Sequence, residues 1–376
     1  MNFKPLSELM DHFTSWRIPG NSIIVNIAGE DVFSYSSGYA SIEEKIPMDP
    51  RKIINIYSSS KMLTCVSALK LYEKGEFKLD DPLYDFIPEY REMHLKNGEK
   101  AKNHITLRHL FTMSAGFNYD RSAPAFSKSR VITEGRMETL AVIRNLASEP
   151  LEFEPGEHYQ YSFCHDVLAA VVEVVSGKKY RDYVKENIYA PLEMNDSFFH
   201  NDDVRDRMAE QYCYEDGDGQ NEGKIVNVGK EVGLIFGPEY DSGGAGVVTT
   251  VADYSKFTTA LANWGTAPNG ERILNKETVE MLRTSHFNNE HHFKYHPNKA
   301  LMGYGYGLGV RVMEDLKLAN SRGRLGECGW NGAAGAIAII DPEINLSVFY
   351  SHHMINCQEE YCAPKIRNTV YDCLAP

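Results

Sequence analysis

The fold of this 376-residue chain is decided by the stretch Ile56-Tyr-Ser-Ser-Ser-Lys-Met-Leu-Thr64. It follows a short β-rich run at 51–57 and opens an apolar segment, 59–74, whose spacing predicts a helix of about four turns that Gly75 ends. Ser58 and Lys61 stand three residues apart, so they share one face of that helix start. A serine nucleophile needs a base beside its hydroxyl, and a helix N-terminus favours a developing oxyanion. The stretch therefore predicts a serine nucleophile with a lysine partner.

The spacing alone is not decisive, because a Ser-x-x-Lys pattern also begins at Ser67 and at Ser176. Ser67 falls in the middle of the predicted helix, and Ser176 falls at a helix end, where the dipole has the wrong sign for an anion. Only Ser58 follows a strand and opens a helix. The alternative interpretation is that Ser58 caps the helix and that Lys61 is a solvated charge.

Strand patterns occupy both ends of the chain, and helical patterns fill the middle. This order predicts an α/β (α+β) fold, in which an antiparallel sheet from both termini is flanked by helices and a mainly helical lobe packs beside it. We expect one catalytic unit over 1–376, with lobes of 1–60 plus about 240–376 and of about 61–239, and a site at their seam. The predicted strands are 22–27, 31–37, 308–313, 333–340 and 346–351, and the predicted helices are 2–16, 59–74, 105–113, 137–147, 164–176, 180–187 and 358–373, where Pro364 implies a kink or a later start.

Composition excludes several classes of function. The hydrophobic fraction of 43% is typical of a globular protein, and a net charge of −13 disfavours nucleic acid as a partner. No run is long and apolar enough to suggest a membrane partner, and the first residues lack the apolar core of a secretory signal. The seven cysteines have neither zinc-finger nor thioredoxin spacing, so we expect a reduced, cytoplasmic location.

Six ordered segments resemble the serine β-lactamases and penicillin-binding proteins, and most closely the class C β-lactamases and the related family VIII carboxylesterases. The resemblance covers nearly the whole chain and implies a β-lactamase/transpeptidase-like fold. Its segments are Ile56–Thr64, Leu79-Asp-Asp-Pro-Leu83, Ile105-Thr-Leu-Arg-His-Leu-Phe-Thr-Met-Ser-Ala-Gly116, Pro155-Gly-Glu-His-Tyr-Gln-Tyr-Ser162, Ser242-Gly-Gly-Ala-Gly246 with Thr250-Val-Ala-Asp-Tyr254, and Gly329-Trp-Asn-Gly-Ala-Ala-Gly335.

The resemblance also implies roles for individual residues. Ser58, Lys61 and Tyr161 are expected to be catalytic, with Tyr161 taking the serine proton. The backbone N–H groups of Ser58 and Ala333 are expected to form the oxyanion hole. Where the lactamases carry Tyr-x-Asn and Lys-Thr-Gly, this chain has Phe163 in place of the asparagine and Trp330 in place of the lysine. Family VIII esterases often differ from the lactamases in the same way.

These replacements favour an ester over a β-lactam, because they remove two polar groups that a polar antibiotic would need. We therefore expect a carboxylesterase that acts on short to medium acyl esters through an acyl-enzyme on Ser58. Weak β-lactamase activity is compatible with this expectation. Substrate contacts are expected from Phe163 and from Trp330-Asn331-Gly332, where the glycine would let a substrate approach the strand.

Three alternatives remain open at this stage: a β-lactamase or D-amino-acid peptidase, an acyltransferase, and a non-catalytic scaffold that binds a ligand. Neither a cofactor nor a metal is expected. The Asp216–Gln220 segment lacks the pattern of a calcium loop, and the histidines of the polar stretch 286–296 are interpreted as a solvated loop.

Overall fold

The computed structural model describes residues 1–200, 202–217, 223–231, 236–286, 298–355 and 358–375. Strands and helices are numbered along the chain. The strands are β1 (Gly20–Ile27), β2 (Glu30–Ser41), β3 (Ile46–Pro47), β4 (Ile54–Asn55), β5 (Gln211–Glu215), β6 (Lys224–Gly229), β7 (Val248–Thr249), β8 (Tyr304–Tyr306), β9 (Arg311–Met313), β10 (Cys328–Gly329), β11 (Ile337–Asp341), β12 (Leu346–Ser351) and β13 (Met354–Ile355). The α-helices are α1 (Lys4–Trp16), α2 (Ser60–Glu73), α3 (Leu107–Phe111), α4 (Pro124–Ile132), α5 (Thr139–Leu146), α6 (Cys164–Ser176), α7 (Tyr180–Val184), α8 (Val251–Ala262), α9 (Lys276–Leu282) and α10 (Glu359–Leu374).

Both ends of the chain build one eight-stranded sheet, with the order β3-β2-β1-β12-β11-β10-β9-β8. The N-terminal hairpin joins the C-terminal strands where β1 runs antiparallel to β12, with Ile23 opposite Tyr350. Strands β11 and β12 form the hairpin predicted around the Asp341-Pro342 turn. The prediction of an antiparallel sheet made from both termini is therefore confirmed.

Helices cover both faces of this sheet. Strand side chains alternate in direction, so Ile23 and Val25 enter a core with helices α1 and α10, whereas Ile24 enters the larger core that contains α2, α6 and α8. Helix α2 is buried on nearly every side, from Ser60 to Leu69. Because α2 is surrounded by protein on all sides, it places the residues that follow Ser58 in the centre of the molecule.

The structure corrects several predicted elements. Helices α4, α8 and α9 and the β5–β6 hairpin were not predicted. The predicted strand at 333–340 begins only at Ile337, because a turn with Gly335 in the left-handed region precedes it. The last helix lies where it was predicted, since α10 spans Glu359–Leu374 and contains Pro364, so of the two effects expected from this proline the later start does not occur. Among the described residues, no helix is both long and apolar enough to cross a membrane.

Candidate active site

Ser58 lies in a tight helical turn, Tyr57–Ser59, that leads directly into α2. Tyr57 adopts a φ of 44°, a left-handed backbone conformation that is costly for a bulky residue. Its phenol donates a hydrogen bond of 2.7 Å to Gln211 Oε1, which helps to hold this conformation. Ser58 is partly exposed while both of its neighbours are buried, so the turn presents the serine hydroxyl to the solvent side.

Lys61 is fully buried one turn after Ser58. Its Nζ donates to the carbonyl oxygen of Gly244 at 2.7 Å and to Ser58 Oγ at 3.5 Å. The same nitrogen lies 4.5 Å from the centre of the Tyr161 ring, where the π face attracts a cation. Within the described ranges no carboxylate forms an ion pair with Lys61, so its charge is directed at the serine and the tyrosine.

Tyr161 comes from the loop before α6, 103 residues after Ser58 in sequence. The two hydroxyl groups share a short hydrogen bond. The Tyr161 ring stacks on Trp330, with 6.0 Å between the ring centres and 17° between the planes, and Tyr119 contacts it from another side. The structure therefore brings together the three side chains predicted to be catalytic, and neighbouring rings fix the orientation of the tyrosine.

Asp166 is a buried carboxyl group beneath this cluster that the sequence analysis missed. Tyr240 and Ser242 donate to its Oδ1 at 2.9 and 2.7 Å. Burial raises the pKa of Asp166, and the nearby charge of Lys61 partly offsets that rise. The other oxygen, Oδ2, faces Gly244, where an added Cβ would lie 2.5 Å from Oδ2 and 3.2 Å from Lys61 Nζ. Asp166 thus anchors the loop whose carbonyl holds Lys61.

The segment 330–333 forms the opposite wall of the site. A Cβ on Gly332 would lie only 2.1 Å from the carbonyl oxygen of Ile56, so this glycine is needed where the segment packs on the loop before Ser58. That contact, rather than the predicted approach of a substrate, explains the glycine. Ala333 is exposed, and within the described ranges its N–H donates to no backbone carbonyl, as expected for an oxyanion-hole donor.

A cavity of about 320 Å³ opens beside Ser58. Its lining includes the predicted nucleophile and the two residues whose backbone N–H groups are predicted to bind the oxyanion. Aromatic side chains and one carboxylate complete the lining. Its lining residues are Ser58, Tyr159, Tyr161, Leu301, Trp330, Asn331, Gly332, Ala333 and Glu359. A larger cavity of about 380 Å³, near Arg181 and His200, contains none of the predicted catalytic residues.

The predicted substrate-contact residues are placed differently from one another. Trp330 is among the residues that line the cavity. Asn331 also lines it, but both ends of its amide are engaged: Oδ1 accepts from Arg311 at 2.7 Å, and Nδ2 donates to Glu359 Oε1 at 2.6 Å. Phe163 is outside the lining, because its ring is 2% exposed and packs against Tyr119 at 4.5 Å. Its position supports a packing role behind Tyr161 and gives no support to substrate contact.

Glu359 is the second functional candidate that the sequence analysis missed. It lies in the first turn of α10 and reaches the cavity only because the fold places that helix beside Asn331, 28 residues away in sequence. No local motif marks it. The residues discounted above as a calcium loop or a histidine cluster fall partly outside the described residues, at 218–220 and at His291, His292 and His296.

The arrangement suits acyl transfer. A hydroxyl lies between a lysine ammonium and a tyrosine hydroxyl, and it faces a cavity whose far wall carries the backbone N–H of Ala333. A nucleophile, a proton acceptor and an oxyanion donor are the three parts that addition to a carbonyl carbon needs.

The chain is similar to several known proteins. Protein Rv1367c of Mycobacterium tuberculosis (strain ATCC 25618 / H37Rv) is 27% identical over 332 residues, which cover 83% of this chain and 80% of that protein. Esterase EstB of Burkholderia gladioli is 27% identical over 354 residues, which cover 88% of this chain and 85% of the esterase. The solved structure of EstCE1, described as a hydrolase with promiscuous acyltransferase activity, has a TM-score of 0.79 at 24% identity and covers 98% of this chain and 97% of its own.

The likeness to EstCE1 confirms the predicted fold class, and a family model described as Beta-lactamase matches residues 6–360. The predicted relationship to serine β-lactamases and penicillin-binding proteins is therefore confirmed, with an esterase among the relatives. The chain belongs to the beta-lactamase family of serine hydrolases.

Proposed function

We propose that this protein is a carboxylesterase that cleaves short to medium acyl esters through an acyl-enzyme on Ser58. The observation that carries the proposal is the position of Ser58 Oγ, which contacts both Lys61 Nζ and the Tyr161 hydroxyl at the edge of the cavity. Both contacts join side chains for which the sequence predicts a catalytic role.

In the proposed mechanism, Tyr161 acts as a phenolate whose negative charge lies beside the ammonium group of Lys61, and its oxygen takes the proton of Ser58 as the serine oxygen attacks the ester carbonyl carbon. The backbone N–H groups of Ser58 and Ala333 hold the oxyanion. The C–O bond to the alcohol then breaks, Tyr161 returns its proton to the alcohol, and water releases the acyl group by the same steps in reverse.

The walls of the cavity support an ester as the substrate. Trp330 lines the cavity at the position where the lactamases carry a lysine, so this wall offers an aromatic side chain in place of an ammonium group. A β-lactam would leave polar groups without partners here, at a cost of about 1–3 kcal/mol for each lost hydrogen bond. Esterase EstB, at 27% identity, supports the same substrate class.

Transfer of the acyl group to an alcohol other than water is the second candidate. The observation that favours it is the likeness to EstCE1, which is described as a hydrolase with promiscuous acyltransferase activity. The same acyl-enzyme would serve both reactions, and the acceptor alone would differ.

The proposal is tested by giving p-nitrophenyl butyrate and a chromogenic cephalosporin to the wild type, to Ser58→Ala and to Ser67→Ala. Ser67 begins the same Ser-x-x-Lys pattern, and its buried hydroxyl has no partner among the described residues, so Ser67→Ala is a matched control. We expect ester turnover that is lost only in Ser58→Ala, with little cephalosporin cleavage. Faster turnover of the cephalosporin would favour the lactamase, and turnover that survives in Ser58→Ala would contradict the mechanism. Added methanol, with methyl butyrate measured as the product, separates transfer from hydrolysis.

A further inference from the structure

The cavity beside Ser58 combines one carboxylate with aromatic walls. We infer that its preferred ester carries a positively charged group of the ammonium class, an inference that rests on the proposed esterase function. The carboxylate is Glu359, and the walls are Tyr159, Tyr161 and Trp330.

Glu359 is held at the cavity by two amides. Asn331 Nδ2 donates to its Oε1 at 2.6 Å, and Asn298 Nδ2 donates to its Oε2 at 2.9 Å. Neutral N–H donors of this kind hold the carboxylate in place and carry no charge that would cancel its own. Glu359 also lies in the first turn of the 16-residue helix α10, whose positive end stabilises an anion.

The cation that faces Glu359 within the described residues is Arg311, and it is already committed elsewhere. Arg311 is buried, donates to Asn331 Oδ1 at 2.7 Å and to the carbonyl oxygen of Ala338 at 2.9 Å, and interacts electrostatically with the buried Glu327 as well. No lysine or arginine of the described ranges forms an ion pair with Glu359. Arg311 also attracts Glu359, but less strongly than it attracts Glu327, so the negative charge of Glu359 is only partly balanced and acts on the cavity that it lines.

The aromatic walls suit the same ligand. Trp330 stands edge-on to Tyr306, with 5.3 Å between the ring centres, and this contact fixes the orientation of the indole. Tyr159 packs against Tyr306 at 5.0 Å and reaches the same cavity. Faces of electron-rich rings attract cations, and an ammonium group with methyl substituents also gains from burial against them.

Lys61 is the charge that would oppose such a ligand. It is fully buried, its Nζ is bonded to the Gly244 carbonyl, and it lies 4.5 Å from the ring centre of Tyr161. Lys61 is absent from the lining of the cavity, whereas Glu359 is part of that lining. A cation bound against Trp330 and Glu359 would thus meet the carboxylate directly and the lysine only through protein.

The same placement disfavours substrates that carry a carboxylate, such as β-lactams and peptides with a C-terminal D-amino acid. Such a group would meet Glu359 in place of a cationic partner, and the neutral indole of Trp330 does not supply the positive charge of a lysine. The cavity therefore ranks esters by charge, with cationic esters above neutral ones and anionic esters last.

The test compares two esters of the same shape, acetylcholine and its carbon analogue 3,3-dimethylbutyl acetate. An ion pair in a partly open cavity together with one aromatic face predicts a kcat/KM ratio of about tenfold in favour of acetylcholine at low salt. High salt should reduce that ratio, because solvent ions screen the charge of Glu359. In Glu359→Gln the ratio should fall to about threefold, because only the aromatic contribution remains. In Glu360→Gln, the exposed neighbour in the same helical turn, it should stay at the wild-type value.

The outcomes separate the two proposals. A wild-type ratio near one, with both esters hydrolysed, would overturn the charge preference and leave the esterase proposal standing. Failure to hydrolyse either ester or p-nitrophenyl butyrate would overturn the esterase proposal itself. The wild-type ratio and its salt dependence decide the inference even if Glu359→Gln does not fold.

Discussion

Replacing Tyr161 with phenylalanine removes the proposed proton acceptor and leaves the packing of the ring in place. The ring would still stack on Trp330 at 6.0 Å and lie 4.5 Å from Lys61 Nζ. Only the hydrogen bond to Ser58 is lost, and in a partly exposed site this should lower the free energy of unfolding by at most about 1 kcal/mol. General base catalysis contributes on the order of 10²–10⁴ to a rate, so kcat should fall by about a thousandfold, which corresponds to ~4 kcal/mol of transition-state stabilisation.

The assay measures kcat and KM for p-nitrophenyl butyrate together with urea unfolding of the same preparations. Tyr183→Phe serves as the control, because the buried Tyr183 hydroxyl has no hydrogen-bond partner among the described residues and is outside the cavity lining. We expect a loss of kcat in Tyr161→Phe alone, with the free energy of unfolding of that variant within about 1 kcal/mol of the wild-type value. A loss of less than tenfold in a folded Tyr161→Phe variant would refute the assignment of the base, and Lys61 would then take that role.

Two further predictions concern stability and pH. Gly332→Ala should lower the free energy of unfolding by about 1–3 kcal/mol and abolish ester turnover, because the new Cβ would lie 2.1 Å from the Ile56 carbonyl oxygen and push the Ala333 N–H away from Ser58. Wild-type turnover in that variant would contradict the packing argument, and Gly98→Ala, at a turn with open space, should stay active. Burial raises the pKa of the Glu173 carboxyl group to about 7 from the ordinary value of 4.5. Between pH 4.5 and pH 7 the native chain therefore holds a proton that the unfolded chain has lost, so the free energy of unfolding falls as the pH rises. Urea unfolding should therefore show that Glu173→Gln is more stable than the wild type by up to ~3 kcal/mol at pH 8 and has no such advantage near pH 4. An equal difference in stability at both pH values would count against the raised pKa of Glu173.

Local signals explain which parts of the fold could be predicted. The β1–β2 and β11–β12 hairpins have alternating apolar residues and clear turn residues, and Gly75 marks the end of helix α2, so the positions of these elements follow from a few neighbouring residues. Helix α8 has polar residues such as Ser255, Thr258 and Thr259 among its buried positions, so its sequence shows no clear helical period of apolar residues. Its start did carry a signal, since Thr250 accepts a hydrogen bond from the N–H of Asp253 as a helix cap, but the capping pattern was not used.

Some residues of the candidate site could be predicted from the sequence, and others are brought to the site only by the fold. The pairing of Ser58 with Lys61 follows from helical spacing, whereas Tyr161 was identified through the family resemblance alone. Asp166 and Glu359 were missed because their partners are 28 to 76 residues distant in sequence and meet them only in the folded chain. A buried acid and a cavity wall are properties of tertiary packing, which no single stretch of sequence specifies. The lobe boundaries and the cytoplasmic location stay predictions.

Mapping the acyl group on the protein tests the central claim most directly. The enzyme would be mixed with excess p-nitrophenyl butyrate, quenched in acid within milliseconds, and analysed by intact-mass and peptide mass spectrometry beside Ser58→Ala and Ser67→Ala. The account predicts a butyryl adduct on the peptide that contains Ser58, in the wild type and in Ser67→Ala, and none in Ser58→Ala. An adduct on another residue, or ester turnover by Ser58→Ala at the wild-type rate, would contradict it.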